Sequence, residues 1–301
     1  MKNFYHGKKV LVTGGCGFIG SHISEKLVEL GADVTILDNL SSGFFDNIKK
    51  FKDDIKFVQG SIVDQTVCDD VVKNKDIIFH LAALVSVPES VEKPQLCHDV
   101  NVTGIFNMLN AAQQNNVRRF VFSSSAAVYG THEGVCTEQT PVGPIAPYGF
   151  TKYMGEQYCK QFAVNYGLKT VCMRYFNVFG PRQNPEGAYA AVVAKFEQCM
   201  RNNKPVVIFG DGKQTRDFIH VSHVVDANLN LGMQDQTVMN GQVFNIAMGK
   251  SITLLELVDQ LKASYPKYDQ EIRFEPVRAG DLKYSSADCS KYKTIQTSNL
   301  R

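Results

Sequence analysis

"VTGGCGFIG", residues 12–20, decides how this chain folds. It completes the strand-like run "KKVLV" and opens a stretch with helical spacing. Gly14, Gly15, Gly17 and Gly20 satisfy both G-x-x-G-x-x-G and G-x-G-x-x-G. Glycines at such a junction let the backbone turn tightly and bring its N–H groups up to a pyrophosphate at the helix N-terminus. A glycine-rich turn alone is common, so the surroundings matter. The next strand, "DVTILD", ends in Asp38, 18 residues past Gly20. That is close to the spacing at which a carboxylate reaches the adenosine ribose hydroxyls. Strand, glycines, helix and acid together predict a dinucleotide site. Asp38 repels a 2′-phosphate and no arginine lies between 31 and 47, which favours NAD over NADP.

Outward from this unit, β-like and helix-like runs alternate. "IKFVQG", "DIIFHLAA", "RRFVFSSS" and "KTVCMRYF" are short, rich in Val, Ile and Phe, and mostly unalternating. Strands buried on both faces of a parallel sheet have that composition. Helical stretches at 20–30, 101–115 and 150–166 lie between them. The pattern predicts an α/β fold with a doubly wound, Rossmann-like parallel sheet. After about residue 180 the rhythm loosens, with helices near 188–202 and 253–264 among Gly- and Pro-containing segments. The expected division is 1–175 plus about 217–246 for the NAD-binding domain. Residues 176–216 and 247–301 then form a smaller mixed α/β lobe for substrate over the sheet's carboxyl edge.

Composition narrows the function classes. With 32 basic and 30 acidic side chains there is no global field to draw in nucleic acid or an anionic membrane. No apolar run approaches the roughly 20 residues that span a bilayer. The eight cysteines form no C-x-x-C pair, which argues against zinc and disulfide frameworks and for a reducing compartment, the cytoplasm.

The chemistry is expected where "FSSSAAVYG", residues 122–130, meets "PYGFTKY". Tyr148 and Lys152 are four residues apart and share a helical face. A lysine ammonium, with the positive ring of an oxidised nicotinamide, favours the phenolate of a tyrosine whose ordinary pKa is about 10. Tyr148 is then the base for a sugar hydroxyl, and Ser125 can hydrogen-bond the same hydroxyl. Ser123 and Ser124 are expected to pack or to bond locally.

These motifs, with "HLAA" (80–83), Asn101 and "RYFNVFGPR", resemble the extended short-chain dehydrogenase/reductase superfamily over nearly the whole chain. "GDGKQTRDFIHV" (210–221) and "PVRAGDL" (276–282) resemble its nucleotide-sugar 4-epimerases. "ALVSVPESVEKP" and "RYFNVFGPRQNPEGAYAAVVAKF" are similar to the bacterial UDP-N-acetylglucosamine 4-epimerase type. The resemblance implies that Gly14, Gly17, Phe18, Ile19, Gly20, Asp38, Asn39, Ser41, Gly43, Leu81, Ala82, Ala83, Asn101, Tyr148, Lys152 and Phe176 bind NAD. It places Ser61 and Ile62 by the adenine, with Ser61 where relatives often carry an acid. Ser86, Ser125, Tyr148 and Asn177 would face the sugar and pyrophosphate. Arg216 and Arg278 would grip the pyrophosphate, Asp281 the uridine ribose, and Ser285 would stand beside C2 of the sugar. A homodimer joined through the helices near Asn101 and Tyr148 is implied as well. Relatives usually continue beyond the position of Arg301, so the C-terminal lobe looks shortened.

Dehydratases and decarboxylases of this superfamily carry an acid just after the strand-end serine or threonine. Here those positions are Ala126 and Ala127, which cannot move a proton. The expected activity is therefore C4 epimerisation of a UDP-hexose. UDP-GlcNAc/UDP-GalNAc is the favoured pair and UDP-glucose/UDP-galactose a further one, because Ser285 leaves room where a tyrosine would block an N-acetyl group. The alternatives are a UDP-glucuronate 4-epimerase, dehydratase or decarboxylase on the same scaffold, or an NAD-binding sensor without chemistry.

Overall fold

One parallel sheet is built from β1 (Lys9–Thr13), β2 (Asp33–Asp38), β3 (Ile55–Gln59), β4 (Ile77–His80), β5 (Arg119–Ser125), β6 (Lys169–Tyr175) and β7 (Asn240–Ile246). Its order is β7-β6-β5-β4-β1-β2-β3. The computed structural model describes residues 1–132, 134–185, 192–277 and 283–298, with side chains to residue 296. Strand order reverses between β1 and β4, and in open α/β sheets the crevice at the carboxyl ends beside such a reversal is where ligands bind.

The unalternating strands have a direct structural cause. Val10 and Val12 enter one buried cluster with Ile23, Ile36 and Phe79, whereas Leu11 enters the opposite one with Ile78, Ile105 and Phe120. Successive side chains point to opposite faces, so a sheet covered on both sides needs apolar residues at consecutive positions.

Among the described residues, the α-helices of seven or more residues are α1 (Phe18–Glu29), α2 (Gln65–Val71), α3 (Gly104–Gln114), α4 (Pro147–Tyr166), α5 (Val192–Arg201), α6 (Val221–Gly232), α7 (Leu254–Lys262) and α8 (Ser290–Ser298). Local chemistry sets many of their ends. Asp64 caps α2, Pro147 starts α4 where a missing N–H costs nothing, and Gly167 ends α4 in the left-handed region at φ +69°. A capping box between Thr253 and Glu256 opens α7.

A third apolar cluster lies apart from the sheet. Phe196 and Met200 of α5 and Leu257 and Val258 of α7 pack there with Val206 and Ile208. Segment 221–246 returns to the sheet instead: α6 packs against α1, and β7 pairs with β6. Three short ladders cross the carboxyl edge: Val178–Phe179 with Ile219–His220, Thr215–Asp217 with Ser251–Thr253, and Val135–Cys136 with Ser286–Ala287.

Candidate active site

The glycine loop closes against β2 and β4. Gly14 has φ +68°, and a Cβ there would lie 2.7 Å from the Ala82 nitrogen; one on Gly20 would lie 2.1 Å from the Gly14 oxygen. Only glycine fits either position. Asp38 accepts from the Cys16 N–H at 2.9 Å and from the Leu40 N–H at 2.8 Å. The acid and the glycine loop are thus one hydrogen-bonded unit. Asn39 accepts from the Ser41 N–H, and a Cβ on Gly43 would meet the Cys16 carbonyl carbon. Phe18 and Ile19 are partly buried against the core at the start of α1.

Across the loop, the Thr13 hydroxyl accepts from the N–H groups of Leu81 and Ala82. It also bonds His80 Nδ1 at 2.9 Å. With its lone pairs taken by two amides, Thr13 donates to Nδ1, which leaves the imidazole proton on Nε2. Burial pushes the His80 pKa down to about 3, so the ring is neutral. Ala83 follows in the segment that Asn101 holds: Asn101 accepts from the Leu84 N–H and donates to the Leu84 carbonyl and the Thr151 hydroxyl. The Asn101 amide is engaged by protein at both ends, so it shapes this wall.

Beyond β3, Ser61 accepts from the Val63 N–H, and Ile62 is buried beneath Gly104. Asn107 of α3 donates to the carbonyls of Ile62 and Val63. The Asp64 carboxylate is committed to capping α2. Thr13, His80 and Asn107 are positioning residues not singled out from sequence, since their partners are distant in the chain.

The three strand-end serines part company. Ser123 bonds the Tyr175 hydroxyl at 2.9 Å, and Ser124 donates to buried Glu156 at 2.6 Å, where Glu156 holds Arg174 through two bonds. Neither bond is local, contrary to the expectation from sequence, because neighbouring β6 and α4 present polar groups to this strand end. Tyr148 is 9% and Lys152 4% exposed. Burial pushes the Tyr148 phenol up while the nearby Ser125 hydroxyl draws it down, and burial pushes the Lys152 ammonium down to about 8. The expected lowering of Tyr148 by Lys152 is not built into the polypeptide, because the Lys152 ammonium donates to the Ser123 carbonyl. Ala126 and Ala127 follow in a short 3-10 turn capped by Ser125. A Cβ on Gly149 would lie 2.5 Å from the Ala127 oxygen, so α4 can approach this turn only with glycine there.

A cavity of about 1080 Å³ adjoins this centre, walled by Val87, Ala146, Asn177, Phe196, Phe209 and Arg216, among others. Tyr148 and Ser125 are not among its walls, but Ala146 is two residues from Tyr148. Ser86 caps the short helix Val87–Glu92. Ser90 of that helix accepts from the Tyr148 N–H and so docks it on α4. Asn177 donates to the Asp217 carbonyl at 3.0 Å and to the Ser285 hydroxyl at 3.3 Å. Arg216 donates to the Thr215 carbonyl. Phe176 is buried against Tyr129, with ring centres 6.1 Å apart. Arg278 and Asp281 lie outside the described residues.

Residues 10–247 match the NAD dependent epimerase/dehydratase family. The chain belongs to that family. It is 37% identical over 292 residues to a UDP-glucose 4-epimerase of Mycolicibacterium smegmatis, covering 95% of this chain and 92% of that one. The structure of UDP-N-acetylglucosamine 4-epimerase from Methanobrevibacter ruminantium, in complex with UDP-N-acetylmuramic acid, superposes with a TM-score of 0.92. It is 39% identical and covers 96% of this chain and 92% of its own. The Thermus thermophilus UDP-glucose 4-epimerase complexed with NAD has a TM-score of 0.86 at 33% identity, covering 97% and 93%. NAD is the cofactor of this family. The residues here fit it: a glycine cradle that admits no side chain opens α1, and a buried carboxylate ends β2. Among the described residues no helix is long and apolar enough to cross a membrane, and no cluster of acids, histidines and cysteines could hold a metal ion.

Proposed function

We propose that this protein is a UDP-hexose 4-epimerase that favours UDP-GlcNAc/UDP-GalNAc and also takes UDP-glucose/UDP-galactose. The observation that carries the reading is the Ser125 hydroxyl beside the buried Tyr148 phenol at the end of β5, with Lys152 one helical turn on and two alanines following Ser125.

When bound, NAD would supply the hydride acceptor for C4, held by the glycine loop and Asp38. Tyr148 takes the proton of the C4 hydroxyl as the C4–H bond breaks, leaving a 4-keto sugar. Ser125 holds the reacting oxygen through its own hydroxyl. Lys152 holds its ammonium 5.9 Å from the centre of the Tyr148 ring, where it steadies the phenolate as it forms. When hydrogen returns to the other face of C4, Tyr148 returns the proton to oxygen and the configuration is inverted. No acid at 126 or 127 diverts the keto sugar into loss of water or carbon dioxide, which disfavours the dehydratase and decarboxylase readings.

On the substrate side, Arg216 and Arg278 bind the pyrophosphate, since guanidinium forks match phosphate oxygens. Asp281 takes the uridine ribose. The small Ser285, bonded to Asn177, leaves space beside C2 for an N-acetyl group. We propose a homodimer joined through α3 and α4, which is supported by the exposure of Phe106 on α3 and Phe150 on α4. Incubation with UDP-GlcNAc and UDP-glucose separately, followed by sugar analysis, tests the proposal. Epimers at C4 support it, and dehydrated, decarboxylated or unchanged sugars refute it.

A further inference from the structure

Asp217 is fully buried yet belongs to neither the cofactor unit nor the chemical centre. One carboxylate oxygen accepts from the Met248 N–H and the other from the Gly249 N–H, each at 2.9 Å. Burial pushes this carboxyl up, and the surrounding backbone N–H groups, those of Met248 and Gly249 first, draw it down. The Asp217 main chain adds two more ties: its N–H donates to the Ser285 carbonyl at 2.9 Å, and its carbonyl accepts from Asn177 at 3.0 Å. Ser251, opposite Asp217 in the short ladder, donates to the Ser285 carbonyl as well. Arg216 is its immediate neighbour.

We propose that Asp217 is the positioning residue of the substrate side. Through its carboxylate and backbone it gathers the segments that carry Asn177, Arg216 and Ser285 into one geometry. This rests on the reading of those three residues as the nucleotide-sugar contacts. The physical reason for an acid is its count of acceptors. A carboxylate offers two oxygens with about four lone-pair sites and no hydrogen, which matches a ring of inward N–H groups. An asparagine of equal shape turns an NH₂ toward one of them and leaves that donor unpaired where water cannot compensate. The segment 247–250 then loosens, and Ser285 and Asn177 lose their fixed separation. Nothing in this network touches the glycine loop or Tyr148, so the effect falls on substrate binding and not on the chemistry.

The test is Asp217→Asn in the full-length protein, with steady-state kinetics on both UDP-sugars, bound-NAD content and calorimetry with UDP. The expected result is a rise of about tenfold or more in KM and in the UDP Kd, on the scale of one unpaired buried donor. Turnover number and NAD content should stay close to wild type. Preference between UDP-GlcNAc and UDP-glucose should narrow, because Ser285 is no longer held. Ser251→Ala removes one tie to the Ser285 carbonyl and should move KM in the same direction by less. It decides the matter if the asparagine variant does not fold. Unchanged KM and UDP affinity in the variants, or a matched fall in turnover and NAD content, overturns the proposal. If the wild type itself binds no UDP, the reading of the substrate side fails instead.

Discussion

The Lys152 ammonium donates to the Ser123 carbonyl oxygen at 2.7 Å and stands 5.9 Å from the centre of the Tyr148 ring. Its bond is to the strand and not to the phenol. The ammonium is held where three features of β5 meet: the Ser123 carbonyl, the Phe122 ring at 5.1 Å and the strand end bearing Ser125.

Burial brings the Lys152 pKa down to about 8, which puts the charge within reach of ordinary buffers. The charged form prevails below that value and is lost as pH rises through it. If the cation supports Tyr148, kcat/KM should fall above about pH 8. Lys152→Met keeps much of the stem but not the charge, and should be slower by roughly tenfold or more with no alkaline fall in that range. Equal alkaline limbs in the two proteins would remove Lys152 from the titration.

Tyr148→Phe should keep the fold and NAD binding while epimerisation drops by roughly 10²–10⁴. The ring still fills its buried place, and only the oxygen beside Ser125 is gone. Turnover of the purified variant is the check, and near-wild-type activity would exclude Tyr148 as the base.

Asp38→Ala removes the acceptor for the Cys16 and Leu40 amides as well as the charge proposed to meet the ribose. Retention of NAD through purification should fall, and the advantage of NAD over NADP should narrow. NADP still fully excluded, with NAD retained as before, would count against this placement.

How much of this was legible in the sequence depended on distance along the chain. The glycine loop and Asp38 lie within one β-α-β unit, so a fixed spacing announces them. Tyr148 and Lys152 are one helical turn apart and read as easily. β7 and α6 were not legible as elements. "NGQVFNI" mixes Asn, Gly and Gln into an edge strand with a register shift near its start, and α6 is buried over most of its length with little polar face to set a period. Ser124 and Glu156 are 32 residues apart, and Asn177 and Ser285 are 108 apart. Bonds of that range leave no local pattern and appear only when the chain is folded.

Ser285→Tyr should suppress turnover of UDP-GlcNAc far more than that of UDP-glucose. Ser285 bonds Asn177 beside the substrate cavity, whereas the neighbouring Tyr284 is largely exposed and does not take its place. Filling that position costs the larger substrate sterically and leaves Tyr148, Ser125 and Lys152 untouched. Paired kinetics on the two sugars decide it; equal losses, or none, mean that Ser285 does not set the choice.

The central claim is that a hydrogen leaves C4 and returns to it without meeting solvent. Incubating the NAD-loaded protein with UDP-GlcNAc in D₂O and following the sugar by NMR tests this most directly. The account predicts UDP-GalNAc appearing alongside UDP-GlcNAc, with C4 carrying protium in both. Deuterium at C4, or a dehydrated or decarboxylated sugar in place of the epimer, would contradict it.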